Sequence, residues 1–271
     1  MGLLKIAAFM LPLTLMAQTQ DWVKKYNASG DYRDCVYAMA TDSYGNVYIT
    51  GQGFGEKTLC DITTIKYSPS GEEAWKQIYN GPGNGPDKPY DLKLDSEGNV
   101  VVIGISWGGD ETFEDFVTLK YSADGQLVWE KRYDGPAHDY DGPMKMAIDK
   151  HSNVYVTGIS WGGEETWEDM ATVKYSPSGE EIWIQRYNGE DNDMDIPHTI
   201  AVDDNFDVYV GGRSISLDTD EDFVTVKYSQ ADEVQKEQEI QRAKFVADSI
   251  VAEKAKPKSK WKTFFKKRNK E

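Results

Sequence analysis

Two stretches of this chain place carboxylates at alternating positions: Asp191-Asn192-Asp193-Met194-Asp195 and Asp218-Thr219-Asp220-Glu221-Asp222. A hard cation such as calcium is held by oxygen donors supplied in this way. Asp191, Asp193, Asp195, Asp218, Asp220 and Asp222 are therefore candidate calcium ligands. Neither run is an EF-hand loop, because Ile196 and Phe223 stand where its sharp turn needs glycine. A second chemistry is suggested by two nearly identical stretches, SWGGDETF from Ser106 and SWGGEETW from Ser160. Trp107, Asp110 and Glu111 in one, and Trp161, Glu164, Glu165 and Trp167 in the other, are candidate ligand-face residues. An indole can stack on a sugar ring while carboxylates accept its hydroxyl hydrogen bonds. The same aromatics can anchor a protein interface or simply lie down on their own loops.

Catalytic patterns are weaker. Residues 104–108 and 158–162 both match G-x-S-x-G, but a nucleophile needs a strand-to-helix elbow. Here the serines fall at strand-to-loop exits, twice, as a by-product of repetition. His138, His151 and His198 lack companions at metal-ligand spacing. A glycoside hydrolase needs only two carboxylates, so a glycan-active hydrolase is the alternative reading, although no acid pair stands out. No catalytic residue is assigned. Cys35 and Cys60, the two cysteines, fall on one predicted face of one repeat. They suit either a disulfide or two free thiols.

The elements that position these residues follow from internal repetition. Ile65-Lys66-Tyr67-Ser68 recurs as Leu119-Lys120-Tyr121-Ser122, Val173-Lys174-Tyr175-Ser176 and Val226-Lys227-Tyr228-Ser229, at spacings of 54, 54 and 53. GNVYITG from Gly45 has counterparts in GNVVVIG from Gly98, SNVYVTG from Ser152 and FDVYVGG from Phe206. Trp22, Trp75, Trp129 and Trp183 are each followed four residues later by Tyr26, Tyr79, Tyr133 or Tyr187. Within each repeat, short β-branched runs alternate with Gly, Asn and Asp turns, which are hairpin signals. Four antiparallel strands per repeat, in tandem, predict propeller blades. The fold class expected is all-β: a β-propeller of four four-stranded blades. Asp61, Asp115, Asp169 and Asp222 recur at the start of the third strand, with Lys66, Lys120, Lys174 and Lys227 inside it. Recurrence in every blade predicts that they tie loops or neighbouring blades together.

The pattern D-x-x-G-N-V-Y-[IV]-T-G, then D-x-x-T-[IVL]-K-Y-S-x-x-G-E-x-x-W, then R-Y-N-G, resembles the seven-bladed beta-propeller repeat (SBBP) family over residues 22–229. The resemblance implies a propeller in exported or surface proteins of prokaryotes, and no single activity. The number of repeats departs from the family name. Residues 21–26 carry Trp22 and Tyr26 of an orphan fourth strand, while the last repeat stops after its third strand. The expectation is that strand 21–26 closes the last blade within one chain, giving a monomer. The rival is that two chains exchange half-blades into an eight-bladed ring.

The loops of one propeller face are rich in acids and hold few bases, among them Arg33, Lys57, Lys88 and Arg213. With a net charge of −16, this argues against nucleic acid as a partner and for cations or basic groups. Residues 1–17 read as a secretory signal, with Lys5, an apolar stretch and Ala17 before the cut. A periplasmic, cell-surface or extracellular location follows. Residues 18–229 form the propeller, 230–256 a helical extension free of glycine and proline, and 257–271 a basic tail carrying Trp261, Phe264 and Phe265. Such a tail suits peripheral contact with an anionic membrane or a frayed, solvated end. The expected function is an exported, non-enzymatic binding or scaffold module. Its acidic, Trp-bearing face would take a protein, a glycan or a cation, calcium being the possible cofactor.

Overall fold

The computed structural model describes residues 19–29, 33–55 and 59–230, together with residues 240, 242 and 244. The signal segment 1–17 and the tail 257–271, with Trp261, Phe264 and Phe265, lie outside the described residues. Of the helical extension beyond Gln230, the three described positions are helical.

Among the described residues, fifteen strands form four antiparallel sheets in chain order. β1 (Cys35–Thr41), β2 (Val47–Gly53), β3 (Asp61–Tyr67) and β4 (Glu73–Tyr79) make the first blade. β5 (Asp87–Leu94), β6 (Val100–Trp107), β7 (Glu114–Tyr121) and β8 (Leu127–Tyr133) make the second. β9 (Asp141–Ile148), β10 (Val154–Trp161), β11 (Glu168–Tyr175) and β12 (Glu181–Tyr187) make the third. β13 (Asp195–Val202), β14 (Val208–Ser216) and β15 (Asp220–Tyr228) make the fourth. The first turn of every blade is locked by one aspartate. Asp42, Asp95, Asp149 and Asp203 each accept the backbone N–H groups two and four residues on, which is why these hairpins tolerate varied side chains at the tip.

The core lies between blades rather than within them. Tyr48, Ile62 and Tyr79 of the first blade pack with Leu92, Val100 and Val102 of the second, and equivalent clusters join the second to the third and the third to the fourth. The expected tying role of the repeated lysines is seen directly. Lys66 donates to the Ala123 carbonyl (3.1 Å), Lys120 to the Pro177 carbonyl (3.1 Å) and Lys174 to Gln230 (2.6 Å). The repeated tryptophans reach the same acceptors, Trp75 to Ala123 and Trp129 to Pro177, both at 3.0 Å. Each of these indoles lies on a glycine of the next blade, Gly125 or Gly179, where a side chain would collide with the ring. Inner strands β1, β5, β9 and β13 line a common central cavity of about 600 Å³.

The ends differ from the expectation. The fourth sheet holds three strands, and residues 21–26 pair with none of the described strands. Instead Trp22 donates to the Pro69 carbonyl (3.1 Å) and lies over Gly71, as Trp75 does to the second blade. The segment thus occupies the place beside the first blade that an outer strand would take, without closing the last blade. The outer edge of β15 is left unpaired among the described strands. The Cys35–Cys60 disulfide is also not formed. Both thiols are free, and Gln52, which faces Cys35 across the strand pair, donates to Cys60 Sγ at 2.6 Å.

Candidate functional face

The connections from second to third strand and from fourth strand to the next blade share one face. Two of them, 107–113 and 161–167, close into matching rings. Gly108 N–H bonds the Phe113 carbonyl and Phe113 N–H the Gly109 carbonyl, and Gly162, Trp167 and Gly163 repeat this. The closure forces Phe113 (φ 56°) and Trp167 (φ 52°) into the left-handed region, an unusual backbone for a bulky residue. Each is held edge-on by its neighbour: Trp107 to Phe113 at 5.6 Å and Trp161 to Trp167 at 5.7 Å. Trp107 and Trp161 are half-buried, Trp107 lying against Gly83 and Gly85. Phe113 and Trp167 are exposed, and so are Asp110, Glu111, Glu164 and Glu165 beside them. The outward-facing pair is therefore Phe113 and Trp167. Trp107 and Trp161, expected from the sequence on the ligand face, are their supports.

Beneath these loops, aspartates meet at each blade junction. Asp87, Asp141 and Asp195 open the inner strands and accept the Gly81, Gly135 and Gly189 N–H groups. Asp115 and Asp169 open third strands and are bonded by Arg132 and Arg186 at 2.5 and 2.6 Å. The same arginines hold Ser106 and Ser160. These are the G-x-S-x-G serines, and they are fully buried inside strands, as befits structural residues.

The junction between the second and third blades is different in one residue. Asn80 and Asn188, at the other two, bond Asn84 and Asn192 (2.9 and 2.7 Å). Here Asp134 replaces the asparagine and bonds His138 Nδ1 at 2.7 Å. One carboxylate oxygen each from Asp115, Asp134 and Asp141 then lies within 4.8 Å of the others. All three have a buried Oδ1 that accepts no hydrogen bond, and Asp115 and Asp141 are 2% and 1% exposed. Burial pushes the Asp141 carboxyl up to about 6; Ser160 and the Gly135 N–H oppose this, while Asp115 and Asp134 add to it. The His138 imidazole is raised by its hydrogen bond to Asp134.

The calcium ligands expected from the sequence do not converge. Asp191 accepts Leu217 N–H and Asp193 accepts Met194 N–H, while Asp195 turns inward to Gly189. Asp218, Asp220 and Asp222 are exposed, and Asp222 takes the Thr219 hydroxyl. The alternation is broken at the loop-to-strand boundary: Asp191, Asp193 and Asp218 lie in the connecting loops, whereas Asp195, Asp220 and Asp222 lie in strands. Among the described residues, Asp115, Asp134 and Asp141 are the acids brought together as a possible metal-ligand group. The sequence signal for them was a single Asp at an Asn position of the repeat.

No protein-family model matches this chain, and no curated protein matches it. Solved structures are similar in fold. The α-L-arabinanase of Penicillium chrysogenum, complexed with arabinobiose, superposes with a TM-score of 0.50 at 12% identity, over 73% of this chain and 63% of that one. The GH93 α-L-arabinofuranosidase of Fusarium graminearum, also with arabinobiose, gives 0.48 at 11% identity over 73% and 63%. This chain therefore spans less than two thirds of either protein's length. At such identities a likeness concerns the fold alone; the repeated four-stranded sheets, with the likeness to the arabinanase, define an all-β, propeller-class protein.

Proposed function

We propose that this chain is an exported, non-enzymatic propeller of the SBBP type that binds a glycan on its acidic, aromatic-bearing face. The observation that carries the reading is the pair Phe113 and Trp167. Two loops of matching backbone hold an exposed aromatic ring in a strained conformation, braced by a second aromatic and flanked by carboxylates. Strain of that kind is retained where the presented side chain is used. Spaced rings and acids suit a polyhydroxylated ligand, stacked on the rings and hydrogen-bonded by the carboxylates. The hydrolase alternative is less well supported, because the acids whose pKa is raised, Asp87, Asp115, Asp141, Asp169 and Asp195, are all buried, and a general acid must touch what it protonates. Export rests on residues 1–17. A glycan array probed with the full chain tests the reading. Binding that Phe113→Ala and Trp167→Ala each weaken roughly tenfold supports it. Turnover of a bound glycan, or hits indifferent to both substitutions, would sink it.

The cation part of this reading belongs to Asp115, Asp134 and Asp141. Three carboxylates and Arg132 leave two negative charges, which one divalent cation balances. The all-oxygen donor set suits calcium. Asp134→Asn reproduces the residue found at the other two junctions, so it should fold normally. Calorimetry should find one calcium site in the wild type, in the range of about 0.1–1 mM typical of extracellular modules, and none in Asp134→Asn. Asn188→Asp should add a second site beside Asp169 and Asp195. Equal calcium binding by wild type and Asp134→Asn would remove the cation from the reading.

A further inference from the structure

The position that joins one blade to the next is the second residue of β3, the third of β7 and β11, and the fourth of β15. It reads Ile62, Phe116, Met170 and Phe223. In the first three blades this side chain is 0%, 1% and 0% exposed; in the fourth, Phe223 is 102% exposed. The buried three share one receptor. Ile62 Cδ1, Phe116 Cζ and Met170 Cε reach within 2.9, 2.7 and 2.8 Å of where a Cβ would stand on Gly104, Gly158 and Gly212 of the following blade. Each glycine is also crowded by a carbonyl of its own inner strand. A small residue there leaves a socket, and the preceding blade fills it.

The first blade has the same socket with no preceding blade to fill it. Gly51 is the counterpart of Gly104, and its close neighbours are Cys35 and Val36 of its own blade. It opens onto a cavity of about 360 Å³ lined by Met39, Val47, Ile49, Ile65 and Trp22, among others. Val47 and Ile49 are half-buried, whereas Val100, Val102, Val154, Val156, Val208 and Val210 at the equivalent positions are fully buried. Met39 is exposed, whereas its counterpart Leu92 is buried. The chain thus carries an unfilled socket at one end and an unused knob at the other.

We infer that Phe223 docks into the Gly51 socket of a second copy of this chain, so that two chains close one ring. Three successive junctions of the same design join the blades, and the fourth blade of one chain keeps its outer edge unpaired and its knob in solvent. A fourth junction of the same kind then recruits another molecule. The contact is head-to-tail, a type that closes into rings where the rotation permits. Two copies supply eight blades, within the range propellers use. The docked blade brings residues 21–26 with it. Interior registers pair Ile62 with Tyr79 and Lys66 with Trp75, so Tyr26 of one copy falls opposite Phe223 of the other, and Trp22 opposite Lys227. The exposed edge of β15, otherwise an aggregation hazard, becomes an interior pair.

Light scattering on the full chain over a dilution series tests this. The expected mass is that of two chains. Phe223→Asp and Met39→Glu both alter exposed side chains, so each should keep the wild-type circular dichroism. Each should also weaken the association roughly tenfold or more, as loss of a central apolar anchor does. Mixing the two variants leaves one intact knob facing one intact socket, and should restore a species of two chains. A wild type that is monomeric at every concentration would overturn the inference, as would a Phe223→Asp variant that associates like the wild type.

Discussion

The three interior junctions and the two outer ends are built from the same repeat, yet the same residue types do different work in them. Phe116 is sealed between the second and third blades, while Phe223 stands in solvent. Lys120 forms a buried pair with Asp95 at 2.8 Å, with both side chains almost fully covered. Lys227 forms its pair with Asp207 at 2.5 Å in a half-exposed setting. Burial is the variable that changes, and it decides how much each interaction contributes. In the interior an ion pair cannot lose one partner without stranding the other. At the end, water screens it.

Substitutions at matched positions sharpen this contrast. Phe116→Ala should lower stability by about 3–5 kcal/mol, the cost of emptying a packed aromatic site. Phe223→Ala should leave the unfolding free energy of the isolated chain unchanged. Urea denaturation of both at a concentration where the chain is monomeric checks the pair, and equal losses would break the comparison. Asp95→Ala should also cost about 3–5 kcal/mol, because Lys120 is left charged in the core. Asp207→Ala should move the same curve within its error.

Smaller effects come from pH. Burial alone would raise the Asp95 carboxyl, but the bonds from Lys120 and Asn99 outweigh it and hold it below its ordinary 3.8. Its contribution is therefore present above that value and is lost as pH falls through the folded-state pKa. Asp87, at the first loop-face junction, goes the other way. Burial raises it, Ser106 and the Gly81 N–H oppose this, and Asp61 adds to it. The native state then binds the proton more tightly than the unfolded chain, so this group's penalty is relieved as pH falls through its raised pKa towards 3.8. Asp87→Asn should flatten that part of the melting temperature profile, and an unchanged profile would show that Asp61 and its surroundings, not Asp87, set it.

Much of this was legible in the residues, because period and polarity are local. The tandem Trp and Lys-Tyr-Ser series predicted blades, and the recurrence of lysine predicted ties between them, which Lys66, Lys120 and Lys174 make. What the residues hid depends on where loops and side chains point in three dimensions. The alternating acids at 191–195 and 218–222 read as ligands, yet each run crosses from a loop into a strand, and its carboxylates bond different backbone groups instead of converging. Asp134 reads only as one of the many acids of the loop face, because it has no signature of its own until Asn80 and Asn188 are set beside it in space. Phe113 was passed over for Trp107 and Trp161, because a ring's direction depends on a backbone φ that no side-chain pattern reports. The end strand 21–26 was recognised by its Trp and Tyr, but the blade it would complete depends on the step between blades, a property of packed junctions.

The recurring glycine socket also has a bearing on the history of the gene. Every boundary between repeats presents the same knob and the same socket, so stability is close to a sum of nearest-neighbour terms. Unequal recombination that removes or adds one unit of 53 or 54 codons would join a knob to a socket as before. It would leave the two outer ends unaltered. Blade number per chain can then change by whole units, as long as the ring that closes stays within the range propellers use, and the boundary is the part that must stay constant.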